Sequence, residues 1–548
     1  MGAVAAKPEQ QPSVTIAGGP ASAQRLGTRR WRPRFPASIG VLLGASVVLF
    51  AVFWLLDVVY FGRRSAAAEH VNTWHLLVDL DPETLQNALG SLVQVVVAVL
   101  AIAITVVSIV VQLAATRYTP RIAEMFFRDK KNLAIMGFFV VACIDAGWVS
   151  VVVSNGFVPR ATVAMTMVVV TASLLMLLPY FAYVFAFLDP EKVIARIGHG
   201  VLDAVLARGH AKRDCDDSDL RQATCVAGLE HLSDIAVNSL AQKDRIITNH
   251  AITALREFAV QYLAAKANLP AAWFTVGKRL LANPDFIALA PDSLHSIEQR
   301  RVWVEWKVLH HYRTIFSEAL EQLPEIAHVV AIETRYLGDE ALKREDREAL
   351  ALACRYFNTF LRTAIDRRNV RAAYNLFHQY RLLAEHMMRK AHGDLVIEVG
   401  RRLSYYGQIA RAAGLDFATE TAAHDLAVLC ERTLEHQSAC HDALLDILLA
   451  LDKAAKTAQE EHVLRGVRKA QIRLATFYLV KGAQERARRV CADMRSESAE
   501  RMTAIRAELM AVTSREFWEV TDRGVNFDYL DDSRKQKLDE VFACVALR

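Results

Sequence analysis

The sequence predicts an all-α protein: a four-helix transmembrane bundle followed by a cytoplasmic α-helical domain, an irregular and repeat-like α-solenoid. Three observations carry that reading. Four long apolar runs fall before residue 190, each reaching the roughly 20 residues that cross a hydrocarbon core. Beyond Glu191, apolar residues recur at intervals of three and four, with few prolines and no strand-like alternation. Charge divides along the same line, with 14 basic and 10 acidic residues up to Pro190 and a nearly balanced 51 and 50 after it. A remainder so balanced lacks the clustered basic face that nucleic acid requires, so no nucleic-acid partner is expected.

Residues 1–37, rich in Ala, Gly, Pro and Ser and ending in Arg29, Arg30, Arg32 and Arg34, read as a disordered basic tail. The apolar run that follows is too long for a secretory signal. The transmembrane domain, 38–189, holds spans at about 38–61, 87–115, 132–154 and 161–187. Backbone groups in lipid must be satisfied within each span, which requires helices. Positive residues crowd the tail and the loop between spans two and three (Arg117, Arg121, Arg128, Lys130, Lys131), whereas the other two loops hold only Arg63, Arg64 and Arg160. That asymmetry places both termini in the cytoplasm of an inner-membrane protein. Asp81 and Pro82 form a cap and first position for span two.

Span two carries Asn87, Ser91, Gln94, Ala98, Ala101, Thr105, Ser108, Gln112 and Ala115 at alternating steps of four and three, which puts them on one stripe. An amide facing lipid would be stranded. The stripe therefore packs against another helix or walls a pore in an oligomer. Asp145, near the middle of span three, is the second intramembrane candidate, either functional or hydrogen-bonded inside the bundle. Gly40 and Gly44 permit close helix approach, and Pro179 is expected to kink span four. At the junction after span two, Thr119 and Pro120 suit a cap and first position for a helix from Arg121 to Lys131, lying at the inner interface with Ile122, Met125 and Phe126 inward. Arg117, Tyr118, Thr119, Pro120 and Arg121 make up this inner-interface motif.

The segment from Gln112 to Asp129, Q-L-A-x-x-x-Y-T-P-R-x-x-x-x-F-x-R-D, resembles a bacterial family of predicted multi-pass membrane proteins known only as a domain of unknown function. That family usually has Phe-Ser-Pro-Arg where Tyr118-Thr119-Pro120-Arg121 stands here. A second match lies at Leu232-Ser233-Asp234-Ile235-Ala236 and Ala251-Ile252-Thr253-Ala254-Leu255. Between them the family tends to have a Ser-Pro-x-Ile-Asn-Asp-Pro turn, and this chain has Ala241-Gln242-Lys243-Asp244-Arg245-Ile246. The resemblance covers roughly residues 40 to 260 and implies membrane location without implying an activity.

Residues 190–270 read as a membrane-proximal helical segment and 271–548 as a helical-repeat-like domain. Leu474, Ala475, Tyr478, Gly482 and Ala487 resemble the packing positions of a tetratricopeptide unit. Looser units run from Leu352 to Ala384 and from Leu403 through Gly414 to Leu434, and no strict 34-residue period is visible. The tail from Phe517 to Phe542 mixes a turn, Asp522-Arg523-Gly524, with a final helix and is expected to cap the array. Phosphate-loop, dinucleotide, zinc-protease and nucleophile-elbow motifs are missing from the sequence. Cys430, His436, Cys440 and His441 fit no common zinc spacing, so neither metal nor cofactor is expected. His231, His310 and His311 read as ordinary helix residues, and the eight cysteines as buried thiols. The expected protein is therefore a non-enzymatic membrane anchor, scaffold or sensor that presents its helical domain to a cytoplasmic protein partner. The alternative is a homo-oligomeric ion channel or transporter, with Gln94, Thr105, Ser108, Gln112 and Asp145 along its pathway.

Overall fold

A computed structural model describes residues 48–56, 59, 82–153, 158–206, 215–451, 460–517 and 520–546. Among them every regular element is a helix. Two compact units emerge: Met1–Val107 with Arg128–Ala182, and Ser108–Phe127 with Tyr183–Arg548. The basic tail, Gly40 and Gly44, most of the first expected span and the loop holding Arg63, Arg64 and Asp81 lie outside the described residues, although 48–56 are helical.

Among the described residues, three helices are long and apolar enough to cross a membrane: α1, α3 and α4. Helix α1 (Pro82–Arg117) begins on the proline read as its first position. Helix α2 (Arg121–Arg128) is short, and α3 (Lys130–Val152) and α4 (Arg160–Leu188) follow, with α4 running through Pro179. The expected helix from Arg121 to Lys131 is split, because the Asp129 carboxylate accepts from the backbone N–H groups of Lys131 and Asn132 at 2.8 and 3.2 Å and so starts a new helix. In the first unit Leu85 and Leu89 pack with Val149, Val153 and Val163, and Val96 packs with Ala146 and Val170. The opposite surfaces carry bare aliphatic side chains: Ile102, Val151, Val168 and Leu178 are 63–82% exposed. Apolar exposure on that scale fits lipid as the solvent.

In the second unit α5 (Pro190–Leu206) packs on α6 (Cys215–Ala241) and α7 (Arg245–Ala265). After a run of short helical segments, the longest Pro291–Gln299, come six helices of 20 residues each: α8 (Trp303–Gln322), α9 (Pro324–Lys343), α10 (Arg347–Asp366), α11 (Val370–Arg389), α12 (Gly393–Ala412) and α13 (Asp416–Glu435). Helices α14 (His441–Leu449), α15 (Glu460–Val480), α16 (Gln484–Asp493), α17 (Ala499–Ala511) and α18 (Leu538–Ala546) complete the chain. They stack in two rows, α7–α9–α11–α13–α15 in one and α6–α8–α10–α12–α14 in the other, each helix also packing on its sequence neighbours. The array thus starts at α6, ahead of residue 271.

The array is more regular than its sequence. Glu345, Arg368, Ala391, Gly414 and Gln437 all have positive φ and recur every 23 residues. Each is the left-handed residue that ends a helix, and the residue after it donates its N–H back five positions, as from Asn369 to Ala364 and from Leu415 to Ala410. Asp346 and Asn369 then cap the next helix by accepting from Ala349 and Ala372. Tyr478, Gly482 and Ala487 form another such hairpin, with Gly482 at φ +76° and the other two buried. A left-handed backbone costs a residue with a Cβ about 1–2 kcal/mol. Ala391→Gly is therefore expected to raise stability by about 1 kcal/mol in urea unfolding, and an unchanged midpoint would contradict the repeat geometry.

The expected turn lies at Asp522-Arg523-Gly524, with Gly524 at φ +61°, and the expected final helix is α18, packed on α15 and α16. Residues 512–517 and 520–531 run, mostly irregular, across α11, α13 and α15. Phe527 stacks on His424 at 3.9 Å and on Phe417 at 6.1 Å between ring centroids. Asp522 accepts from both ends of the Arg371 guanidinium at 2.8 and 2.9 Å and from Asn375 at 2.8 Å. The hydrogen bond from Arg371 holds the Asp522 carboxyl down at about 2. A depressed carboxyl contributes stability that is complete above the unfolded value of about 3.9 and lost as pH falls toward 2. Proteolysis of this segment should accelerate across that window in the native chain, and Asp522→Asn should flatten that contribution.

Candidate functional site

The intramembrane polar residues divide into two sets. Asp145 is 2% exposed, and the Thr166 hydroxyl donates to its Oδ2 at 2.8 Å. Its helix face also buries Ala142, Ala146 and Val149, which turns the carboxyl into the interior of the unit. The side chain is partnered by α4, as the alternative of a hydrogen-bonded Asp145 inside the bundle expects. A second internal pair went unread in the sequence. Tyr180 donates to Asn132 Oδ1 at 3.0 Å, both buried. Neither residue type is unusual at a span end, so only their meeting marks them.

The stripe on α1 is placed differently. Asn87, Ser91, Gln94, Ala98, Ala101, Thr105, Ser108 and Gln112 are all exposed. The buried residues of the same helix are Leu85, Leu89, Val96, Ala103, Val107, Val111 and Ala114. At about 100° per residue the two sets lie roughly 150° apart around the axis. Among the described residues, the stripe is therefore not the surface with which α1 packs. Ser91 and Thr105 donate back to the carbonyls of Asn87 and Ala101 at 3.0 and 2.8 Å, as hydroxyls on membrane helices do. Gln94 and Gln112 have no such local solution, since an amide carries two donors and an acceptor.

The inner-interface motif is gripped from far along the chain. Tyr118 and Thr119 are buried, whereas Arg117, Pro120 and Arg121 are exposed. Asn238 donates to the Tyr118 carbonyl at 2.6 Å, and Gln242 to the Arg117 carbonyl at 2.8 Å. These carbonyls end α1, where helix geometry leaves them without partners. The Arg117 guanidinium pairs with Asp244 at 2.9 Å, and Asp244 also caps α7 through the Ile247 N–H at 3.2 Å. Lys243, at φ +58°, makes the turn between α6 and α7. The two stretches that carried the family resemblance, about 120 residues apart, thus meet at one place. The Gln242–Asp244 turn that departs from the family pattern is what holds them. Ile122 and Phe126 are buried and Met125 half-buried, with Phe126 edge-on to Phe187 at 5.3 Å.

Nearby, Lys307 is fully buried, with Nζ 2.9 Å from Glu230 and 2.5 Å from Asp285. Burial pushes His311 down to about 3 and His231 to about 4, so both are neutral core imidazoles. Of the cysteine–histidine set, His441 bonds Thr433 at 2.9 Å and Tyr478 at 3.2 Å, and Cys440 lies 3.1 Å from the Ser438 hydroxyl. Among the described residues, no three His, Cys, Asp or Glu side chains gather as a metal site.

Lipid-facing helices joined to a two-row helical array define a multi-helix membrane protein. Residues 35–261 match the family described as a predicted membrane protein (DUF2254), so the resemblance carried by the Gln112–Asp129 motif holds over that stretch. No curated protein matches the chain. A solved structure, a "circular tandem repeat protein with novel repeat topology and enhanced subunit contact surfaces", is similar at 16% identity and a TM-score of 0.21, with 85% of this chain and 97% of that chain covered. At that score the likeness supports no statement about this fold.

Proposed function

We propose that the protein is a homo-oligomeric membrane channel without enzymatic activity, in which the second span of each copy lines a shared pathway. The observation that carries this reading is the exposed stripe on α1, on the side away from its packed surface. Its strict alternation of four and three gives a period of 3.5, the seam along which helices of separate copies supercoil. Gln94 and Gln112 stand about 27 Å apart along the axis, close to the thickness of a hydrocarbon core. Between them the seam offers Ala98, Ala101, Thr105 and Ser108, small enough for close approach and polar enough for water. Both termini lie in the cytoplasm, where the helical array would gate the pathway. Crosslinking in nanodiscs should give a closed oligomer, and the purified chain in liposomes should pass small ions. A monomer that conducts no cation or anion would overturn the proposal.

A second reading, an anchor that presents the array to a cytoplasmic protein partner, draws on the regular two-row stack. The face of the α11–α13–α15 row that would receive a partner is held by the chain's own residues 512–531, which weighs against it. Crosslinking in cells followed by recovery of a stoichiometric partner would favour this reading over conduction.

A further inference from the structure

Arg515 and residues between Arg523 and Arg534 close one side of a cavity of about 490 Å³ whose other walls are α11, α13 and α15. Six guanidinium groups line it: Arg381, Arg432, Arg473, Arg515, Arg523 and Arg534. Four of them are neutralised locally. Arg381 pairs with Glu385 and Asp425, Arg523 with Asp425, Arg432 with Glu435, and Arg534 with Glu431 and Asp531.

The other two make no ion pair among the described residues, and the carboxylates of Glu431, Asp528 and Asp531 act on Arg473 only through space. Arg473 donates from Nη1 to Nδ1 of His424 at 2.6 Å, and its buried Nε has no hydrogen-bond partner among the described residues. Arg515 is exposed, and among the described residues its side chain makes no ion pair or hydrogen bond. Guanidinium only donates, so the His424 nitrogen facing Arg473 is an unprotonated acceptor. Burial, reinforced by Arg473 and Arg523, holds His424 well below its ordinary range. The same arrangement recurs at His378, whose Nδ1 lies 3.0 Å from Arg381. At Arg473 a neutral imidazole thus stands where a carboxylate would normally be found, in a cavity whose lining holds six arginines against the carboxylates of Glu431, Glu435 and Asp531.

We propose that this cavity binds a small phosphorylated molecule from solution, its phosphoryl group held by Arg473 and Arg515. Two guanidiniums without an ion-pair partner among the described residues match the charge of about −1.5 to −2 on a phosphoryl group near neutral pH, and their planar forks match its oxygens. The volume lies within the usual range for pockets that enclose one small ligand. The inference does not rest on the channel reading.

The test is equilibrium binding to the full chain in detergent, with inorganic pyrophosphate and with ADP as soluble probes and short-chain phosphatidic acid as the lipid probe, at fixed ionic strength. Saturable binding of pyrophosphate or ADP is expected, one per chain. It should weaken about tenfold or more in Arg473→Gln and in Arg515→Gln, as loss of a charge-assisted contact implies. Arg515 is exposed, so that variant keeps its fold, and circular dichroism verifies the fold of both. The proposal falls if neither soluble probe saturates at millimolar concentration, if Arg515→Gln binds as tightly as the native chain, or if only phosphatidic acid binds.

Discussion

Replacing Asp425 by alanine is expected to destabilise the helical array by about 3–5 kcal/mol and to release residues 512–531. Asp425 is fully buried on α13 and accepts from Arg381 Nε at 3.0 Å and from Arg523 Nη1 and Nη2 at 2.9 and 3.0 Å. The Arg523 side chain is itself only 4% exposed, and it lies over the Tyr374 ring at 4.0 Å. Removing the carboxylate leaves two guanidiniums facing one another without their shared anion, and a buried cation without a partner is far more costly than an exposed one. Arg381 retains a carboxylate, Glu385, on its own helix, whereas Arg523 retains the Tyr374 carbonyl and the Tyr374 and Phe527 rings, none of them an anion. The C-terminal segment should therefore loosen first. Limited proteolysis would read an early cut between 512 and 531, ahead of global melting. A variant with the native melting temperature and the native cleavage pattern would show that this triad does not fasten the segment.

Thr105→Leu and Ser108→Leu are expected to reduce ion flux at least tenfold without impairing membrane insertion. Leucine is about as favourable as any residue at the centre of a membrane helix, so a lipid-facing position should accept it silently. On a seam between copies the added bulk would push helices apart or fill the polar path. Ile102→Leu and Ile109→Leu on the exposed aliphatic flanks supply the control, because they exchange one lipid-compatible side chain for another. Flux and oligomer size equal to native in both seam variants would end the reading of α1 as a pathway helix.

The features that were legible and those that were not differ in kind. The three membrane helices α1, α3 and α4 fall within a few residues of the apolar runs that announced them. The hairpins at Leu352–Ala384 and Leu403–Leu434 were also readable from their apolar spacing. The 23-residue repeat was not, because the positions that impose it are backbone conformations, and four of the five hold Glu345, Arg368, Ala391 and Gln437 in place of glycine. A fold held by stacking tolerates those strained residues, so the sequence carries no punctuation there. Asp129 hid another boundary, since an aspartate among charged residues reads as surface until its carboxylate is seen capping α3.

Composition by itself determined that this chain enters a membrane, because apolar transfer free energy adds along a span whatever its neighbours are. It also determined that the remainder is helical, because a period of three and four residues is a local property. Tertiary structure alone decided which side of α1 is covered, which partner Asp145 receives, and where six arginines converge. Those outcomes depend on groups brought together from positions tens to more than a hundred residues apart, and ion pairs and hydrogen bonds over such separations leave no trace in local pattern.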